Sequence, residues 1–387
     1  MADTGIGPPA GGLLDASRGP LHPAAATTLT AALGVAFADP TRLHAPGRHA
    51  RSLLDTSRAV LADALGASPA EVSVHPSAEA ALDLALTGLR HARRRVGERV
   101  VAGATERSVL LLQPGIDGPL PVDRSGRVDA EAFAAAVGGG RVAAAVLQVA
   151  NGEVGTRQPV AAVAAAARTA GVPLLLDATA SLGRDRAGDG LLREAGVVVA
   201  DAASFGGPPL GLLVVRAGTR WGLPGPRREA EHGREHAAPW VPLVLAAAEA
   251  WRQGEAERVE EERTARELVA RVRAAAAEVP DVEVVGDADD RLPHVVTFSV
   301  LYADGEVLLE ELSRRGLHVA SGSACTSSAL RPSHVLAAMG VLTHGNVRVT
   351  LPLRAVSPTR ADDVERLCRE LPEAVATVRR RLGTDDL

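Results

Sequence analysis

The residues of this chain that could do chemistry are few and far apart in sequence. Cys325 lies in SGSACTSSALRPSHVLAAMG, Ser321 to Gly340. Serine and glycine leave that stretch free to move, and a thiolate there could carry sulfur; the plain alternative is an inert small residue in a loop. Arg348, within NVRVTLP, is a permanent cation in a strand-like run, suited either to clamping an anion or to a salt bridge on an edge strand. Asp177 closes the apolar run VPLLLDA, where an aspartate either serves a site at the end of a strand or caps the next turn. Ser77 follows Pro76 at a helix start and can offer its hydroxyl to an anion. His232 and His236 have the i, i+4 spacing that can hold a divalent metal, but Gly233 between them and the lack of a third ligand nearby predict a solvated pair, so no metal is expected. Cys368, at helical spacing with Val364 and Leu367, reads as a core residue. All 42 basic residues are arginine, so no lysine amine is present to form an imine.

The elements that must position these residues follow from periodicity. VSVHP, RVVAGA, VAAAVLQVA, VPLLLDA, VVVADAA and LGLLVV are short apolar runs bounded by charge, glycine or proline, as buried strands are. Alanine-rich segments with helical spacing separate them, which predicts an α/β chain with a mostly parallel central sheet and helices on both faces. A charged loop between Trp221 and Pro239 precedes a long helix from about Val241 to Val279. DVEVVGD, HVVTFSV, LHVAS and NVRVTLP, with helices between and after them, then suggest a smaller α+β domain. The expected division is a tail at 1–12, a large domain at 13–250 and a small domain at 251–387 that carries Cys325.

With 387 residues and 46% hydrophobic content, the chain can bury separate cores, and an aromatic share of 2% means that small aliphatic side chains fill them. A net charge of -5 supplies no broad basic field, so nucleic acid is not an expected partner. No apolar stretch reaches the roughly 18 residues of a membrane span, and two cysteines suit a reducing compartment. A soluble cytoplasmic protein is expected.

The segment around Cys325 closely resembles the active-site loop of cysteine desulfurases, a branch of the class V aminotransferase-like enzymes of fold type I. Other pieces fall in that family's order: DPTRLHAPGRHAR (Asp39 to Arg51), NGEVGTRQP (Asn151 to Pro159), LLLDATASLG (Leu174 to Gly183), SFGGPPLGLLVV (Ser204 to Val215) and HGNVRVTL (His344 to Leu351). The resemblance implies a homodimer with the cofactor pyridoxal phosphate. It makes Cys325 the acceptor of sulfur as a persulfide, Arg348 the binder of the substrate carboxylate, and Asp177 the partner of the pyridine nitrogen.

Several positions depart from the family pattern. Ser204 stands where the resemblance puts the Schiff-base lysine, and Ala203 where its histidine neighbour belongs. Gly152 and Ala180 replace an asparagine and a glutamine that contact the phenolic oxygen, and Arg107 replaces the stacking histidine. At the phosphate, Pro76-Ser77-Ala78 replaces a Gly-Ala-Thr turn, leaving Ser77 as a vestigial donor, and Asp201 replaces a serine. The segment HGREHAAP lacks the residues that the family donates across its dimer interface. These losses predict a cysteine desulfurase-like protein that carries no cofactor, lacks cofactor-dependent catalysis and keeps a sulfur-relay, binding or assembly role through Cys325, with a protein sulfur donor or acceptor as partner. Two alternatives stay open: an active desulfurase or lyase-type enzyme using non-covalently bound pyridoxal phosphate, and a purely structural subunit of an active desulfurase or thiolation enzyme.

Overall fold

The computed structural model describes residues 11–322 and 332–383. The chain starts with β1 (Gly12–Leu13), α1 (Pro23–Val35) and α2 (Ala45–Ala64). There follow β2 (Val72–His75), α3 (Ala78–Arg93), β3 (Arg99–Ala102), α4 (Ser108–Leu111), α5 (Ala130–Gly138), β4 (Val142–Gln148), α6 (Val160–Thr169), β5 (Leu174–Asp177), α7 (Arg186–Asp189), β6 (Val197–Asp201) and β7 (Gly211–Val215). The long α8 (Val241–Ala277) leads into β8 (Val282–Val285), β9 (Val295–Val300), α9 (Gly305–Arg314), β10 (Leu317–His318), α10 (His334–Met339), β11 (Asn346–Thr350) and α11 (Arg360–Leu382).

The six apolar runs of the first lobe are β2 to β7, and they form one sheet in the order β2-β7-β6-β5-β4-β3. The pairs β3-β4, β4-β5 and β5-β6 are parallel; β7 runs against both β6 and β2. Every residue of β4, β5 and β7 is buried, which explains why these strands read as continuous apolar runs instead of alternating ones. One face packs against α1, α2, α5, α6 and the start of α8, the other against α3 and α4. The expected α/β architecture, mostly parallel with helices on both faces, is therefore present.

A second core forms where the three-stranded antiparallel sheet β11-β9-β8 packs against α9, α11 and the end of α8. Residue 250 falls inside α8, whose Val241 to Trp251 turns belong to the first core and whose Ala265 to Ala276 turns belong to the second. The start of the chain also crosses over: β1 pairs in parallel with β10, and Leu14 is buried in the second core. Among the described residues, no helix is long and apolar enough to cross a membrane.

In the charged loop after Trp221, Glu231 turns inward at the edge of the large sheet. Its carboxylate accepts both terminal nitrogens of Arg58 at 2.6 Å and the Val74 amide at 2.7 Å, so the loop is pinned to β2. The neighbouring His232 is exposed, and no group of three metal-ligating side chains occurs among the described residues. Removing one member of a buried pair strands the other charge, at a cost of about 3–5 kcal/mol. Glu231→Ala is therefore expected to lower the chemical-denaturation midpoint sharply, while Arg58→Met combined with Glu231→Leu loses less. Equal losses for the single and double variants in urea titrations would refute this account of the pair.

Candidate functional site

A cleft of about 640 Å³ opens between the carboxyl ends of the large sheet and the face of β11. Its position follows from the parallel strands: Gln148 ends β4, Asp177 ends β5 and Asp201 ends β6, and Gln148 and Asp177 pair directly in register. Ligand crevices form at this end of an open α/β sheet. The opposite wall carries Arg348 and Thr350, two residues apart on β11 and so on the same side of the strand.

Arg348 is held by its backbone. It exchanges both main-chain hydrogen bonds with Ala320, at 2.7 and 3.0 Å, and pairs on its other side with Thr297 of β9. The side chain is buried, Asp15 approaches it only to 3.8 Å, and its Nε has no hydrogen-bond partner among the described residues. Other buried polar atoms along the cleft are likewise unpartnered: His294 Nδ1, Thr350 Oγ1, Glu106 Oε2 and Glu153 Oε1. Unsatisfied buried groups are costly, and their concentration in one cleft marks a place built to receive a polar ligand.

The carboxylates on the sheet side are set by burial. Glu106 accepts the Gln148 amide at 3.0 Å, yet burial outweighs that bond and, with the charge of Asp177 adding to it, pushes the Glu106 carboxyl up to about 8. Burial also raises Glu153, against the Ser333 hydroxyl and the charges of Arg348 and His334. A Cβ at Gly322 would collide with the Glu153 carboxylate, so this carboxylate presses on the chain just before residues 323–331. His294 is held well below the usual imidazole range by burial and by Arg184, Arg291 and Arg360 around it, and so faces the cleft neutral.

At the far end of the cleft, α3 begins. Ser77 accepts the Ala80 amide at 3.1 Å as the helix cap and does not line the cleft. Glu79, in the first turn, accepts from Arg107 at 2.9 Å and lies 3.7 Å from Arg18. Arg107 also donates to Thr179 at 3.1 Å. Asp201 shares this end: burial pushes its carboxyl up to about 6, opposed by the Ala203 amide and reinforced by Glu79, with Arg107 and Arg18 pulling the other way.

Of the residues singled out by sequence, Arg348, Ser204 and Asp201 meet in this cleft along with Arg107, Gly152, Ala180 and Ala203. The Ser204 hydroxyl lies 2.7 Å from the carbonyls of both Leu182 and Asp201, tied to the backbone. Gly206 follows at φ 82°, a conformation in which a side chain would be strained and would press on Leu353. Asp177 is buried just behind the wall, accepting the Thr179 amide at 2.8 Å. Cys325 lies outside the described residues. Cys368 is half-buried against the second core, and burial raises its thiol. Sequence reading missed Glu79, Arg18, His294 and Glu153: each looks like an ordinary helix-start, loop or strand-end residue until the fold brings them together.

Comparison with known proteins agrees with this geometry. Residues 212–367 match the family described as Aminotransferase class-V. The chain is 33% identical over 382 residues to a cysteine desulfurase of Cereibacter sphaeroides, covering 93% of this chain and 94% of the relative. It is 32% identical to an IscS-like cysteine desulfurase of Mycobacterium tuberculosis, covering 94% and 96%. Among solved structures, a NifS-like protein superposes with a TM-score of 0.82 at 20% identity over 94% of this chain and 99% of that one, a likeness of fold. A NifS-like protein from Rickettsia africae superposes with a TM-score of 0.79 at 18% identity over 93% and 98%.

These relatives correct one expectation. Cysteine desulfurases are the pyridoxal phosphate enzymes that the sequence resembles, so the reading of the chain as free of any cofactor does not stand, and pyridoxal phosphate is the group implied for this cleft. The scaffold of the family is retained even where single contacts to that group are replaced. The residues present do not fit the lysine-linked, phosphate-cradled way of holding it. There is no lysine, Ser204 is bonded to backbone carbonyls, and the end of the cleft at α3 already holds two carboxylates, Glu79 and Asp201.

The position of Glu106 gives a pH signature. Its carboxyl ionises near 4.5 when unfolded and near 8 when folded, so between those values the unfolded chain gives up a proton that the folded one keeps. The Glu106 contribution is thus fully present below 4.5 and is lost as pH rises through 8. Glu106→Gln should denature near the wild-type midpoint at about pH 5 and increasingly above it towards about pH 8; parallel profiles would exclude a buried, protonated Glu106.

Proposed function

The chain belongs to the cysteine desulfurase family, and from that premise we propose that it handles sulfur: its cleft binds a small carboxylate-bearing ligand at Arg348, and Cys325 accepts and passes on sulfane sulfur. The observation that carries this reading is the backbone pairing that places Arg348, whose Nε has no partner among the described residues, beside Ala320, five residues before Cys325 in the sequence. A carboxylate is the natural complement of that group, because a planar guanidinium offers paired donors. Since no lysine is available, lysine-dependent release of sulfur from cysteine is assigned to another protein, an active desulfurase that acts as donor. The Cys325 thiolate attacks the terminal sulfur of the donor's persulfide; the donor S–S bond breaks, its thiolate leaves, and the persulfide is now on Cys325 with no net oxidation. The protein works as a homodimer of the family type in this reading.

A second reading is favoured by the size of the cleft and by the buried Asp177: pyridoxal phosphate enters without a covalent link. A volume of about 640 Å³ is ample for a ligand of that size.

Two experiments test these readings. Incubation with a persulfide-loaded desulfurase should add one sulfur atom to the peptide containing Cys325, detected by mass spectrometry, and Cys325→Ser should abolish the addition. Failure with several donors would overturn the relay and leave the protein as a structural subunit. Pyridoxal phosphate added to the wild type should be removable by denaturation and never fixed by borohydride within the chain. Ser204→Lys is expected to restore little fixation while Asp201, Gly152 and Ala180 remain; strong fixation would show a cofactor pocket that is otherwise intact.

A further inference from the structure

The end of the cleft at α3 has the makings of an anion cup. The first turn of a 16-residue helix faces it, and two guanidiniums, Arg107 and Arg18, converge on it. A helix start with arginines around it is a good setting for a negative group. The negative group already there is Glu79. Its carboxylate accepts from Arg107 at 2.9 Å and stands 3.7 Å from Arg18. Burial pushes its carboxyl up, but its own backbone N–H, Arg107, Arg18 and the Ser77 hydroxyl together outweigh burial and hold it below the usual carboxylate value. Glu79 is therefore charged at neutral pH and uses the donors that an incoming anion would need. Asp201 adds a second carboxylate to the same end.

We propose that Glu79 is an internal occupant of this cup that competes with the phosphate of any ligand entering the cleft, and so sets the affinity for phosphorylated ligands. The competition is reversible by construction. Both Glu79 and Arg107 are 39% exposed, and an ion pair so open to water is weak and readily exchanged. A phosphate reaching the cup would have to displace the Glu79 side chain or sit beside it at the cost of like-charge repulsion. Neutralising Glu79 would remove the competing negative charge from beside Arg107 and Arg18 without changing the shape of the cup, and Arg107 would keep its bond to Thr179.

Competition at Glu79 does not involve Cys325 and is read by a binding measurement. Wild type and Glu79→Gln would be titrated with inorganic phosphate, pyridoxal phosphate and unphosphorylated pyridoxal, following tryptophan fluorescence and equilibrium dialysis. The variant should bind both phosphorylated ligands more tightly, on the order of tenfold, the factor that corresponds to losing one repulsive contact, and pyridoxal unchanged. Asp201→Asn should act in the same direction, and Arg107→Ala should abolish the gain when combined with Glu79→Gln. Unchanged phosphate affinity in Glu79→Gln, or equal tightening of pyridoxal, would overturn the proposal.

Discussion

The two-sided clamping of β11 is the interaction on which the cleft depends. One edge of the strand pairs with β9 through the length of Asn346 to Thr350. The other edge is closed by two short contacts, Arg348 with Ala320 and Thr350 with the chain at Asp15. The second of these comes from the start of the chain, which has already paired with β10 through β1. These contacts satisfy the main-chain groups of that edge: Arg348 exchanges bonds with Ala320, and Thr350 accepts from the Ala16 amide and donates to the Leu14 carbonyl. With those main-chain groups paired, β11 offers the cleft the side chains of Arg348 and Thr350, and the loops that follow β3 and β4 offer Glu106 and Glu153.

Charge in this protein is carried by a base that does not give up its proton. Guanidiniums remain cationic under ordinary conditions, so burying one is eased by partners, and the fold supplies them to several. Arg58 is held by Glu231, Arg258 by Asp189 and Glu255, and Arg360 by Glu261 and the Pro352 carbonyl. The same chemistry shapes the cleft. A lysine at position 204 could exchange protons and form an imine, whereas Arg107 and Arg348 can only attract and orient anions. The carboxylates Glu79 and Asp201 line the same cleft as these cations, and Glu79 pairs with Arg107.

The strands and their order along the chain were legible because a fully buried parallel sheet writes itself as short apolar runs between helical segments. The resemblance of the motifs was legible for a related reason: the residues at strand ends and in tight turns have few alternatives. Less could be read of the boundary near residue 250. A continuous helix carries no local mark at the point where it leaves one core for the next, and α8 keeps the same pattern through both. The reading that no cofactor is carried failed because each missing contact was counted singly, whereas kinship rests on the whole scaffold.

What the sequence determined by itself was composition and local preference: the absence of lysine, the serine at position 204, the aspartates that close β5 and β6, and the cysteine motif at 321–340. What only the tertiary structure decided was which charges share a space. Glu79 and Arg107 are 28 residues apart in sequence, and Asp201 more than ninety further on; their convergence depends on how α3 and β6 lie beside each other. The buried, protonated state of Glu106 has the same origin. A carboxyl's preference for its proton is set by the water it loses and the charges that face it, and neither is written in the neighbouring residues.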